Sequence, residues 1–221
     1  MKILAIDTST EACSAALYLD GEVHEIHEIA PRRHAELILP MVDRLLSEAG
    51  SCLNVMDALA FGRGPGSFTG VRIAAGVIQG LAFAAELPVI PVSSLATLAQ
   101  GAVESGAVLF SAIDARMNEI YWCAYAVDED KLVSALGDER VTRPGLIEYS
   151  GEYPCYGIGS GWDRYADELR QNLGGKLRGF DPNRFPLAVD MFPLALRAFD
   201  RRELVDAGDA IPIYLRNDVT G

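Results

Sequence analysis

Residues 2–21 read KILAIDTSTEACSAALYLDG, and the pattern returns at residues 107–131 as AVLFSAIDARMNEIYWCAYAVDEDK. Each stretch opens with an apolar run that closes on Ile-Asp, at Asp7 and again at Asp114. A polar segment follows, then a second apolar run, then an acidic turn that begins at Asp20 or at Asp128. The acid-to-turn spacings are 13 and 14 residues, a difference of one. Asp20-Gly21 between two strand-like runs is a hairpin signal, because both turn positions need positive φ. Two copies of a strand–loop–strand unit predict two similar α/β halves.

Working outward, the first half continues with a helix over His34–Ala49, the strand ALAFG, a helix over Gly70–Glu86, the strand PVIPV and a helix from Ser93. The second half continues with a helix around Arg143–Tyr149, the strand CYGIG and helices over Trp162–Leu173 and Leu187–Phe199. The extended segment IPIYLRND comes near the end. The expected fold is α/β and two-lobed, built from a duplicated βββαβα unit. The lobes span residues 1–102 and 103–221, with the second reduced and the final segment packing back on the first.

The composition narrows the function. Half of the 221 residues are apolar and 23% are charged, as in a folded globular protein. A net charge of −12 argues against direct binding to a phosphate backbone, which needs clustered Lys and Arg. No apolar run approaches the roughly 20 residues that span a bilayer, and the opening has no cleavage pattern of a signal peptide. Cys13, Cys52, Cys123 and Cys155 are scattered without a Cys-x-x-Cys, and read as reduced thiols of a cytoplasmic protein.

Several stretches resemble catalytic motifs and fail on spacing. GRGPGSFTGVRIAAG (62–76) is glycine-rich before a helix, but its cations are Arg63 and Arg72, and a phosphate-binding P-loop needs a Gly-Lys pair. A nucleophile elbow centred on Ser67 would need glycine where Pro65 stands. Ser67 or Thr69 instead suits a helix cap, and free amides at that helix start leave a weak anion-binding role open. His24 and His27 of HEIHE sit three apart in a strand, where side chains alternate faces, so they cannot chelate one ion together. His34 opens a helix with Ile38 one turn on, which gives no metal pair. The segment DTSTEAC offers Thr8, Ser9 and Thr10 hydroxyls without a glycine to admit phosphate. Asp7, Thr8, Ser9 and Asp114 are the candidates for a residual nucleotide contact, and no metal site or cofactor is expected.

Two helices carry more apolar surface than one core needs. Leu37, Ile38, Leu39, Met41, Val42, Leu45, Leu46 and Ala49 spread over roughly 200° of a helical wheel, where about 100° suffices. From Val71 to Glu86 the only polar side chains are Arg72, Gln79 and Glu86, seven apart, and Gly76, Gly80 and Ala84 recur at four-residue spacing. Small residues so spaced allow another helix to approach closely. The candidate partner interface is therefore His34, Leu37, Met41 and Leu45 on one helix, and Arg72, Gly76, Gln79, Gly80 and Phe83 on the other.

MKILAIDTSTEACSAAL, HAELILP, GRGPGSFTGVRIAAG, PVSSLATLA, IDARMNEIYW and IPIYLR together resemble the TsaB (YeaZ) family, in order and over nearly the whole chain. GPGSFTGVR is the most specific of these motifs. The resemblance implies the actin-like, ribonuclease-H-like fold of the sugar-kinase superfamily. It also implies a non-catalytic subunit that binds and activates a TsaD-like transferase, which forms N6-threonylcarbamoyladenosine beside the anticodon of tRNAs. TsaB-like chains pair with TsaD through the first lobe or form a homodimer, TsaE joins as an ATPase, and TsaC supplies the activated threonylcarbamoyl-adenylate. TsaD binds metal through His-x-x-x-His; here the matching positions hold His34 and Ile38. The competing expectation is a small actin-like ATPase or kinase, with Asp7 and Asp114 at a phosphate–magnesium cleft.

Overall fold

Asp20 and Gly21 turn the chain back with φ of 51° and 105°, closing a hairpin between β2 (Ala12–Leu19) and β3 (Glu22–Ile29). β1 (Lys2–Asp7) pairs antiparallel with β2 and parallel with β4 (Ala58–Gly62), which pairs parallel with β5 (Val89–Val92). The first sheet has the order β3-β2-β1-β4-β5. Its helices are α1 (His34–Glu48), α2 (Phe68–Ala85) and α3 (Ser94–Gln100). The computed structural model describes residues 1–103, 108–149, 151 and 153–216.

The second sheet repeats the first. β6 (Val108–Arg116), β7 (Glu119–Val127), β8 (Val133–Ala135), β10 (Cys155–Ile158) and β11 (Leu177–Asp181) run in the order β11-β10-β6-β7-β8, with β9 (Arg140–Thr142) also paired to β7. Antiparallel and parallel pairings fall at the same places in both sheets. The duplication seen in the sequence is thus a duplication of topology, the two-lobed actin-like arrangement, with each unit continued by one more strand and helix.

Central strands explain the apolar runs. β1 is covered on both faces, so it reads as nearly continuous hydrophobic sequence. Leu4 and Ile6 face Ile38, Val42, Ala74 and Ile78 of α1 and α2. Ile3 and Ala5 face the other way, into a core shared with α3, β6 and α5 (Phe192–Asp200). Phe110 and Trp122 of the second sheet and Trp162 of α4 (Gly161–Leu173) form a third cluster between that sheet and that helix. The layers run α1/α2, first sheet, α3/α5, second sheet, α4.

Two expected helices differ. The helix around Arg143–Tyr149 shrinks to a single 3-10 turn, Pro144–Leu146, because Pro144 and Gly145 are poor helix residues. The helix over Leu187–Phe199 divides into a 3-10 turn, Ala188–Met191, and α5, whose first turn holds Pro193. β9 and β11 are additional strands. The segment IPIYLRND is extended through Arg216, and its last two residues lie outside the described ones. Contrary to expectation, α2, at 18 residues with a mean hydropathy of 1.4, is long and apolar enough to cross a membrane by length and composition, although Arg72 and Gln79 interrupt its apolar sequence. It packs on β4 through Val71, Ala74, Ala75, Ile78 and Ala82.

Candidate partner-binding face

The loop before α2 is pressed against the turn after β1, backbone to backbone. Thr8 Oγ1 donates to the Gly70 carbonyl at 2.7 Å, and the Ser67 amide donates to the Ser9 carbonyl at 2.7 Å. A Cβ at Gly70 would lie 2.0 Å from the Thr8 oxygen, and one at Gly66 would lie 2.4 Å from the Ser9 oxygen. Only glycine fits at either place. Ser67 is the N-cap, its Oγ accepting from the Gly70 amide at 3.4 Å. The Ser67 and Gly70 amides are thus engaged within the chain. Among the described residues no histidine is hydrogen-bonded to Ser67.

That loop aims α2 so that one face looks outward. Thr69, Arg72, Gly76, Gly80, Phe83 and Ala84 are exposed at helical spacing. A Cβ at Gly76 or Gly80 would meet nothing within 4 Å, and Phe83 is 82% exposed. Arg72 lies over the Phe68 ring, 3.2 Å from its centroid, and 4.8 Å from the centroid of Tyr214. Gln79 is half-buried and donates to the Ala210 carbonyl at 3.2 Å.

α1 corrects the wheel. Met41 and Leu45 are buried in the lobe's own core with Ile38 and Val42, and His34 is buried at the first turn with Nε2 unpartnered. Leu37 is half-buried against the same core. The broad apolar arc arises because Leu37 and Leu46 flank an ordinary buried stripe. The large apolar side chain this helix exposes is Leu39, at 48%.

Asp7 and Asp114 stand at equivalent ends of β1 and β6, and the chain occupies both. Asp7, Thr8 and Ser9 are buried. Burial pushes the Asp7 carboxyl up to about 7, partly offset by the Ser9 hydroxyl and amide, which each donate to Oδ1 at 2.7 Å. Asp114 accepts from the Arg116 guanidinium at 3.0 Å and stands 3.6 Å from that of Arg164. Arg116 also reaches across the lobes to Glu11 at 3.3 Å. A nucleotide contact by Asp7 would first need these residues uncovered. Among the described residues no group of three or more His, Cys, Asp or Glu is placed to hold a metal ion. His24 and His27 pair with Glu22 and Glu25 of their own strand.

Sequence reasoning missed Phe68, Tyr214 and the Glu11–Arg116 pair. Tyr214 meets Phe68 at 6.3 Å between centroids across 146 residues of chain, and no local pattern encodes that contact.

Comparison with known proteins agrees with the topology. The family TsaD, tRNA N6-adenosine threonylcarbamoyltransferase, matches residues 24–151. Two lobes of one strand order around a shared core, with that match, define a TsaD-like protein of actin-like fold. A tRNA threonylcarbamoyladenosine biosynthesis protein TsaB from Escherichia coli (strain K12) is 46% identical, across 99% of this chain and 96% of its own length. The protein of that name from Haemophilus influenzae is 44% identical, across 100% and 95%. The solved structure of YeaZ from Pseudomonas aeruginosa superposes with a TM-score of 0.91 at 46% identity, covering 97% of this chain and 99% of that one. The chain belongs to the TsaB (YeaZ) family.

Proposed function

We propose that this protein is the non-catalytic partner subunit that binds and activates a TsaD-type transferase in forming N6-threonylcarbamoyladenosine next to the anticodon of tRNAs. Family membership supports the pathway, and the exposed face of α2 supports the mode. A helix this apolar is ordinarily buried on most sides. Here Arg72, Gly76, Gly80 and Phe83 face solvent, and the two glycines leave room for a second helix to lie close. The partner is the TsaD-type subunit, a TsaE-like ATPase joins through the complex, and the chain alone forms a homodimer. The protein works in the cytoplasm, and its acidic charge suits a subunit that leaves tRNA contact to others.

The enclosed Asp7 and the guanidinium-paired Asp114 weigh against the ATPase reading. The test is to mix the purified chain with its TsaD-type subunit, follow co-elution, and measure threonylcarbamoyl transfer with and without the chain. Transfer that is equally fast without it would reject the activating role. Tight ATP–magnesium binding by the isolated chain, lost in Asp7→Ala, would reinstate the enzyme.

A further inference from the structure

The segment from Val205 to Arg216 runs along the first lobe and then leaves it. Val205 bridges the edge strand at Val89, with both backbone bonds at 2.9 Å. Ala210 is buried against α2 and its carbonyl accepts from Gln79. The Ile213 amide donates to the Arg63 carbonyl at 2.9 Å. Tyr214 then lies beside Phe68, and the Arg72 guanidinium stands against both rings.

Two residues later the chain is on the second lobe. Arg216 pairs with Glu119, donates to the Ala115 carbonyl at 3.3 Å and touches Met117 Sδ at 3.4 Å. These residues frame the β6–β7 turn, where Arg116, Met117 and Asn118 have φ of 62°, 55° and 58°. Three successive non-glycine residues in the left-handed region are costly, and they persist where the surroundings hold them. Beside the segment a partly open pocket of about 150 Å³ is lined by Val71 of the first lobe, Tyr121 of the second and residues 213–216 of the segment itself. The segment therefore crosses from one lobe to the other, held on the first lobe through Ala210, Ile213 and Tyr214 and on the second through Arg216.

We infer that Ala210–Arg216 is a latch tying the docking face of α2 to the β6–β7 turn, and that a protein settling on α2 shifts it. This rests on the docking role proposed above. Arg72 is the link, being at once an exposed member of the α2 face and a contact of both Phe68 and Tyr214. A partner that covers Arg72 must also meet Tyr214, and any displacement of Tyr214 is carried two residues to Arg216. The strained turn supplies the second state, since losing Arg216 removes its contacts to Ala115, Met117 and Glu119.

Hydrogen exchange on the intact chain tests the latch first. Arg216→Ala should raise exchange at the amides of Ile213 and Arg116 by about tenfold or more, and leave Ile6 and Phe61 unchanged. Glu119→Gln should raise the same two amides by a smaller factor. Unchanged exchange, or an equal rise throughout both sheets, overturns the latch. The TsaD-type subunit is then added to the unmodified chain. Altered exchange over residues 114–119 and 211–216, together with protection of α2, supports the coupling. Protection of α2 alone overturns the coupling while leaving docking intact. No protection of α2 overturns the docking role and the coupling with it, and the latch is then judged by the first comparison.

Discussion

Asp7 and Ser94 meet against Gly62, where an added Cβ would stand 2.0 Å from Asp7 Oδ2 and 3.3 Å from Ser94 Oγ. Both oxygens are buried, and neither has a hydrogen-bond partner. A protonated Asp7 can donate from Oδ2 toward the Ser94 hydroxyl, whereas a carboxylate there would be a buried charge.

Stability should therefore fall as pH rises. Asp7 holds its proton to about pH 7 in the folded chain and to about 3.8 when unfolded. The folded state binds more protons between those values, so stability decreases across roughly pH 4 to 7 and then levels. Three pKa units correspond to at most about 4 kcal/mol. Asp190, pushed up to about 6 by burial, adds a smaller change of the same sign. Asp7→Asn keeps the acceptor for Ser9 and supplies a permanent donor toward Ser94, so its pH dependence should be flatter. Urea unfolding at pH 5 and pH 8 measures this, and an Asp7→Asn variant as pH-sensitive as the original would refute the assignment.

The glycines of one motif should answer oppositely to alanine. Gly70→Ala drives a methyl into the Thr8 carbonyl and should cost about 3 kcal/mol, since the obstruction is backbone. Gly76→Ala meets nothing and should stabilise by about 1 kcal/mol through helix propensity. Denaturant midpoints of the two variants decide it. Equal shifts would mean that the loop is not packed as described.

Ser67 should behave as a cap. Ser67→Ala leaves the Gly70 amide without its side-chain acceptor and should cost about 1 kcal/mol. A serine-reactive phosphonate should leave Ser67 unlabelled. Stoichiometric labelling that also blocks a peptidase activity would overturn this.

What the sequence carried well was the pair of central strands. KILAID and VLFSAID are covered on both faces, so burial wrote itself into consecutive residues. The second lobe was harder to read, because LRGFD is only partly buried and its strand pairing with β10 comes from topology. α1 misled for a different reason. A wheel counts Leu37 and Leu46 as surface to be covered, although both lean on the core beside Met41 and Leu45. The α2 face was legible because its small residues repeat at helical spacing. The Phe68–Arg72–Tyr214 cluster was not, since Tyr214 lies 146 residues from Phe68 in the sequence.

Substitutions on the two helices should separate binding from folding. Gly80→Leu places a side chain where nothing lies within 4 Å, and Phe83→Asp charges a ring that is 82% exposed. Both should keep the unfolding midpoint close to that of the unmodified chain. Both should weaken association with the TsaD-type subunit by tenfold or more, about 1.4 kcal/mol. Met41→Ala and Leu45→Ala empty buried positions and should cost about 2–5 kcal/mol in stability. Where those two still fold, their affinity for the partner should be nearly unchanged. Titration calorimetry beside chemical unfolding distinguishes the pairs. If Gly80→Leu and Phe83→Asp bind as tightly as the unmodified chain, the partner sits on another surface, and the exposed face of α2 needs a different explanation.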